Sequence, residues 1–439
     1  MKLASTSDDA AALLPGHATA NQGRQFRLYS LVWRWHFYAG LLVSPVILLM
    51  AGTGALLIFQ DRLERVLYPG TMSVTPARQQ ASYEQQVAAA QAVSPPGSKV
   101  AGLGRDADPS RPTAVFMRMP SREGFIVYVD PADGHVLGDN TQHQFFDTVE
   151  TLHRRLFLGP LGALVVELTT CWTIVLLLTG AYLWWPRKDR RLWGVLLPRL
   201  RGHPYVVLRD LHSVCGISVW LVALICAGTG LFYSSLTGSA FKLALRAASG
   251  FVQDPQPPSS RSPVDATTVP VDRILAIAHS KFSDASLTVF FPDSCEGVFV
   301  VYASWAHGPT YRRVLALDRA SGEILDEQTN GNAGWFRWWA TWNFPLHAGS
   351  LAGTPTQVIW LLGCLGLMLL PVTGVWMWWQ RRPPGQTGFP GRAPASVPRW
   401  LTRLIIILGI LLPMFGLSVA VLVLGERGLQ RLRKVQGRA

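Results

Sequence analysis

Residues 36–54 read HFYAGLLVSPVILLMAGTG, and residues 212–230 read HSVCGISVWLVALICAGTG. In each, a histidine opens an apolar stretch and Ala-Gly-Thr-Gly begins fifteen residues later, as Ala51-Gly52-Thr53-Gly54 and Ala227-Gly228-Thr229-Gly230. A second pair of stretches repeats a different pattern. His153 and His347 are each followed at +26 by Thr-Gly (Thr179-Gly180, Thr373-Gly374), and a Trp-Trp closes both segments (Trp184-Trp185, Trp378-Trp379). Two copies of a two-helix unit with a histidine at either end describe this arrangement. They would build two bis-histidine sites at different depths in a membrane, and imidazole is a suitable axial ligand for heme.

The chain of 439 residues is 49% hydrophobic and only 15% charged, with a mean hydropathy of +0.22, which reads as a membrane protein rather than a soluble one. The stretches Trp35 to Phe59, Leu161 to Trp185, His212 to Tyr233, Thr356 to Trp379 and Leu404 to Leu424 can each cross a hydrocarbon core of about 30 Å as a helix. The net charge of +13 belongs to topology rather than to nucleic acid, because no basic helix with interleaved base-stacking aromatics lies outside these stretches. Arg187, Lys188, Arg190, Arg191, Arg199, Arg201 and Arg209 crowd the loop between the second and third spans, which makes that loop cytoplasmic. Arg381, Arg382, Arg392, Arg399 and Arg403 after the fourth span, and Lys2, Arg24, Arg27 and Arg34 before the first, agree with it. A fifth span conflicts, since it exports a tail with Arg427, Arg431, Arg433, Lys434 and Arg438; Pro413 in its middle permits a kink or a re-entrant segment. The first 35 residues have no apolar core of signal-peptide type, so the first span is expected to stay as an anchor.

Between the spans the repeat continues. Tyr83 to Val93 and Val271 to Lys281 read as short helices, and Thr113 to Met119, Phe125 to Asp130, Leu287 to Phe291 and Val298 to Tyr302 as strands. Asp130 to Gly134 and Asp318 to Gly322 read as hairpin turns whose glycines take a positive φ. The unit is therefore span, small α+β domain, span, twice in the same orientation, and a parallel repeat implies a pseudo-two-fold axis along the membrane normal. That axis sets the pairing: His36 with His212 towards the cytoplasmic face, and His153 with His347 at the exported face.

Each of these features has a plainer reading. Single histidines at helix ends are commonly solvated or bonded to backbone, although four in repeat-related positions favour ligation of heme iron. The Thr-Gly elements make room for a macrocycle or simply let helices pack closely. Trp335, Phe336, Trp338, Trp339, Trp342 and Phe344 form an interfacial belt or a ligand platform, and Arg337 within that run, with Arg154 and Arg155 beside His153, could attract an anionic chelate or heme propionates. Zinc lacks ligands at a two-histidine site, and no Cys-x-x-Cys-His offers covalent heme attachment. His143 is the next candidate ligand; the remaining histidines read as solvated. Cys295 alone lies in an exported domain, so no disulfide within it is available, and Cys171, Cys215, Cys226 and Cys364 read as small packing residues.

In this order, His36 with Gly52-Thr53-Gly54, Leu152-His153-Arg154-Arg155, Thr179-Gly180 through Trp184-Trp185-Pro186-Arg187, His212 with Gly228-Thr229-Gly230, and Leu346-His347-Ala348-Gly349 make the chain resemble the PepSY-associated transmembrane family, which includes FoxB-type inner-membrane siderophore reductases. The resemblance covers nearly all of residues 30–382. It implies two noncovalent heme b groups held by His36, His212, His153 and His347. It also implies electron transfer to a ferric siderophore, which releases ferrous iron on the periplasmic side of a Gram-negative inner membrane. Trp338, Trp342 and the three arginines are the candidate substrate or propionate contacts. No Gly-x-Gly-x-x-Gly follows a strand, so electrons are expected from a separate donor, a quinol or a cytoplasmic reductant. Two other readings stand beside it: a nonenzymatic membrane protein that regulates a peptidase or assists uptake, and a cytochrome that reduces a periplasmic protein.

The expected architecture is an α-helical transmembrane bundle, four core helices as a parallel two-fold repeat plus a fifth, with two small PepSY-like α+β periplasmic domains. Its parts are a cytoplasmic arm (1–35), helix 1 (36–59), periplasmic domain 1 (60–155), helix 2 (156–185), a basic loop (186–211), helix 3 (212–235), periplasmic domain 2 (236–354), helix 4 (355–380), a cytoplasmic loop (381–402), helix 5 (403–424) and a basic tail (425–439).

Overall fold

The computed structural model describes residues 16–185, 194–248, 257–305, 313–329, 335–391 and 397–436. The chain divides into two compact units, one of residues 1–45, 172–220 and 369–439 and the other of residues 46–171 and 221–368. In order, the helices are α1 (Gly16–Ile58), α2 (Gln60–Leu67), α3 (Pro69–Met72), α4 (Tyr83–Val93), α5 (Gln144–Arg155), α6 (Gly159–Trp184), α7 (Pro204–Ser218), α8 (Trp220–Leu231), α9 (Thr237–Ala248), α10 (Val271–Lys281), α11 (Trp335–Ala348), α12 (Thr354–Arg381), α13 (Arg399–Leu411) and α14 (Pro413–Gln436). The strands are β1 (Lys99–Arg105), β2 (Thr113–Arg118), β3 (Gly124–Val129), β4 (Val136–Asp139), β5 (Ser286–Phe290), β6 (Phe299–Ser304), β7 (Arg313–Leu317) and β8 (Ile324–Gln328).

Among the described residues, three helical stretches are long and apolar enough to cross a membrane: Leu28–Ile58, Gly159–Trp184 and Thr354–Arg381. The third expected span, 212–235, is not one straight helix. It is the pair α7 and α8, starting earlier and bent by 61° at the break. Ser218 ends α7 with its hydroxyl donated to the Val214 carbonyl (2.8 Å), a back-bond that bends helices. The expected fifth helix, 403–424, is also divided, because Pro413 lacks the N–H that would continue α13 and its ring would clash with the carbonyl four residues earlier. The segment becomes α13 and α14.

The two expected α+β domains are joined in one antiparallel sheet of eight strands, ordered β4-β3-β2-β1-β5-β6-β7-β8. The joint is β1 against β5, with Leu103 opposite Val289. Leu103 also pairs with Val115 and Val289 with Val301, so residues in equivalent places of the two halves face each other. A strand reading of β1 is weakened by its two glycines, yet Gly102 is what permits the joint. A Cβ there would lie 2.2 Å from the Val289 carbonyl oxygen. Leu103, Leu287, Val289, Phe299, Val301, Leu315 and Leu317 are fully buried together with Ile274 of α10, and each such aliphatic or aromatic side chain contributes roughly 1.5–3 kcal/mol. Ala90 of α4 packs with Val115, Met117, Val127 and Val129 on the other half. A Ser82–Gln85 capping box starts α4, and Asp272 of α10 accepts from the N–H groups of Tyr83 (2.8 Å) and Glu84 (3.0 Å). The hairpin glycines take the expected conformation, Gly134 at φ +79° and Gly322 at +74°.

Candidate functional site

The His36–His212 pair lies wholly within the first unit. His36 stands on α1 and His212 on α7, and their ring centres are 6.4 Å apart with planes at 86°. Nδ1 of His36 is 2.9 Å from Thr179 Oγ1 on α6, and Nδ1 of His212 is 3.0 Å from Thr373 Oγ1 on α12. The His153–His347 pair lies wholly within the second unit, with ring centres again 6.4 Å apart and planes at 59°. Here α5 and α11 carry the histidines. The threonines come from α1 and α8: Thr53 Oγ1 is 2.8 Å from His153 Nδ1, and Thr229 Oγ1 is 3.2 Å from His347 Nδ1.

These contacts settle which nitrogen carries the proton. Every one of the four threonine hydroxyls already donates to the carbonyl four residues before it, at 2.6–2.8 Å from Leu49, Val175, Ile225 and Leu369. With its proton so placed, each Oγ1 accepts, and Nδ1–H of the imidazole donates. His347 Nδ1 is also 3.1 Å from the Cys226 carbonyl, which can only accept. The tautomer is therefore the same four times over, leaving Nε2 with its lone pair. At His153, burial, reinforced by the nearby His347, pushes the imidazole pKa down to about 4, so that ring is neutral at physiological pH.

The glycine beside each threonine has its own purpose. A Cβ at Gly180 would meet His36 Cε1 at 3.3 Å, at Gly374 His212 Cε1 at 3.5 Å, at Gly54 His153 Cε1 at 3.4 Å, and at Gly230 His347 Cε1 at 3.0 Å. The Thr-Gly elements thus hold and admit the imidazoles, which neither sequence reading of them, room for a macrocycle or helix packing, had included. A metal–imidazole bond of roughly 2 Å, with about 1 Å more from nitrogen to ring centre on each side, places two axial imidazoles about 6 Å apart. The 6.4 Å separations of both pairs match that distance.

Around the His153–His347 pair the other candidates divide. Arg154 is paired with Glu150 (2.7 Å), and Arg155 is exposed. Trp338 and Trp342 have ring centres 6.1 Å apart. Arg337 lies on α11, and its side chain falls outside the described residues. His143 does not join the pair. It is buried between Tyr68 (4.1 Å) and Tyr128 (5.5 Å) with Nε2 2.8 Å from Thr71 Oγ1, and burial lowers its pKa.

Two residues in the second half went unread in the sequence. Asn343, four before His347, is fully buried. In the amide orientation that satisfies its neighbours it donates to the Thr229 carbonyl (3.2 Å) and the Tyr233 hydroxyl (3.0 Å) and accepts from Trp339 Nε1 (3.2 Å). Asp210, two before His212, is fully buried and takes Nε of Arg199 (2.6 Å) and Nη2 of Arg209 (3.0 Å). The position of Asn343 four residues before His347 on α11 was a signal available in the sequence.

A family model described as the PepSY-associated TM region matches residues 33–381, a span that contains all four histidines and all four Thr-Gly elements. No curated protein matches the chain.

Proposed function

The chain belongs to the PepSY-associated transmembrane family, and we propose that within it this protein is a di-heme b-type oxidoreductase of the inner membrane. It would pass electrons to ferric siderophores in the periplasm. The observation that carries the reading is the pair of 6.4 Å imidazole separations, each with Nδ1 engaged by threonine and Nε2 left basic. Heme bound between the rings would supply one-electron redox chemistry. The residues of the chain do the rest. The threonines fix the tautomer and ring orientation, and the glycines let the imidazoles approach the opposing helix.

In this reading the basic loops face the cytoplasm, His36 and His212 form the site nearer the electron donor, and His153 and His347 form the site nearer the chelate. The donor is a quinol or a cytoplasmic reductant. Each electron converts one bound Fe(III) to Fe(II), which the hard oxygen donors of a siderophore hold far more weakly, so iron is released. Arg155, Trp338 and Trp342 are the proposed chelate contacts; Arg154 is engaged by Glu150.

Heme quantification on the purified full chain, with its absorption spectrum, tests this directly. Two b-type hemes per chain are expected, and a ferric hydroxamate added to the dithionite-reduced protein should reoxidise both. Protein from heme-replete cells that carries no heme would refute the reading. Heme that reacts with no ferric chelate would retain the cofactor and remove the substrate.

A further inference from the structure

The last described segment departs from the other apolar stretches. A Cβ on Gly409 would lie 3.1 Å from the Cα of Gly416, and one on Gly416 would lie 2.6 Å from the Gly409 carbonyl oxygen. Residues seven apart in a continuous helix are separated by roughly 10 Å along the axis. The chain therefore doubles back sharply between α13 and α14, at Leu412 (φ −124°, ψ 78°) and Pro413. Glycine on both sides is what lets the two backbones come so close. Trp172 of α6 holds the elbow in the same unit. Its Nε1 donates to Ser418 Oγ (3.1 Å) and its ring meets Phe415 edge-on at 4.9 Å, while Leu401, Leu412 and Phe415 are buried.

Length and charge then decide what such an elbow can do. The apolar run of α13, Leu404 to Leu411, extends about 12 Å, and that of α14, Pro413 to Leu424, about 18 Å. Neither alone matches a hydrocarbon core of about 30 Å; only the two in line would. Both outer ends are basic. Arg399 and Arg403 stand at the start of α13, and exposed Arg427 and Arg431 stand near the end of α14, followed in sequence by Arg433, Lys434 and Arg438. A straight span would carry one of these groups across the bilayer against the usual distribution of positive charge.

We propose that residues 399–436 form a re-entrant elbow that enters and leaves the bilayer on the face of the basic loops, and that the basic end of α14 binds the anionic lipid headgroups of that leaflet. The inference uses the charge topology of the proposed function but not its hemes, so either can fail without the other.

Reporters fused after Ala439 of the full chain, expressed in a Gram-negative host, read the side directly. A fluorescent green fluorescent protein and an inactive alkaline phosphatase are expected; an active phosphatase overturns the elbow. The triple variant Gly409→Leu, Gly416→Leu, Pro413→Leu removes the close approach and the break. It should extend the helix and switch the two reporters, and a monodisperse gel-filtration profile of the detergent-solubilised variant provides the check that it has folded. For the headgroups, tryptic cleavage after Arg427 and Arg431 is followed in nanodiscs, where both faces are open. Cleavage should be several-fold slower with phosphatidylglycerol than with phosphatidylcholine, and high salt should abolish the difference by screening. Equal rates at low salt overturn the lipid contact.

Discussion

In the first half of the repeat the residue four before His153 is Val149, and in the second half the residue four before His347 is Asn343. Val149 is a buried apolar contact; Asn343 is a buried amide with three polar neighbours. The same contrast recurs elsewhere. Arg34 precedes His36 by two where buried Asp210 precedes His212, and Asp130 holds one hairpin through the Ala132 N–H (2.8 Å) where Asp318 gathers a much larger set of donors. Ser260 Oγ and Arg261 N–H reach Asp318 at 2.7 Å, the Ala320 and Ser321 N–H groups at 3.0 Å, and the Ser262 hydroxyl donates as well. What the halves share without exception is His, Thr and Gly at the two sites. The shared set is what the proposed heme ligation would require; the anchors that differ belong to the scaffold, and they are concentrated in the second half.

The largest effects test the shared set. His36→Ala and His212→Ala should each lower heme content from two per chain to one and remove the same heme, as judged by a redox titration that loses the same component. His153→Ala and His347→Ala should remove the other. If the two members of a pair remove different hemes, equivalence of the halves fails at its centre.

Next in size is the hairpin contrast. Burial alone would raise the Asp318 pKa, but hydrogen bonds from Ser262, Ser321, Ser260 and Ala320 outweigh it and hold the carboxyl well below the usual range. A depressed folded pKa gives stability that is fully present above the unfolded value of about 4 and lost as the pH falls through and below it. Asp318→Asn should cost about 3 kcal/mol at pH 7, and Asp130→Asn less than about 1 kcal/mol. Thermal unfolding of the full chain at pH 7, 5 and 3.5 checks both. The gap between wild type and Asp318→Asn should hold from pH 7 to 5 and narrow at 3.5.

The smallest contrast is at the helices that carry His153 and His347. Asn343→Leu strands the Tyr233 hydroxyl, the Trp339 N–H and the Thr229 carbonyl, a loss of about 1–2 kcal/mol. Val149→Leu changes only apolar packing. Heating the detergent-solubilised protein and following heme release should show the His153–His347 heme leaving earlier in the first variant only. Equal midpoints would mean that the amide clamp contributes nothing.

The histidine spacing, the two small helices and both hairpins were readable in the sequence because each depends on residues close along the chain. The four threonine contacts were not, since Thr53 and His153 are a hundred residues apart and Thr-Gly in an apolar run equally suits helix packing. Strand β1 was hidden by the glycines that its partner demands. The fifth helix had the right apolar length, and Pro413 left a span and a re-entrant segment both open until the approach of Gly409 to Gly416 showed the fold-back.

The joint between β1 and β5 has a consequence for ancestry. Because Leu103 and Val289 occupy equivalent places and face each other, the contact is isologous: the edge of one half is complementary to itself. A single half made alone would present β1 as an open edge, and two identical copies could close it in the same register that the fused chain uses. The linkage of both halves in one polypeptide then turns a concentration-dependent dimer into an intramolecular one, freeing each half to change its anchors without losing its mate.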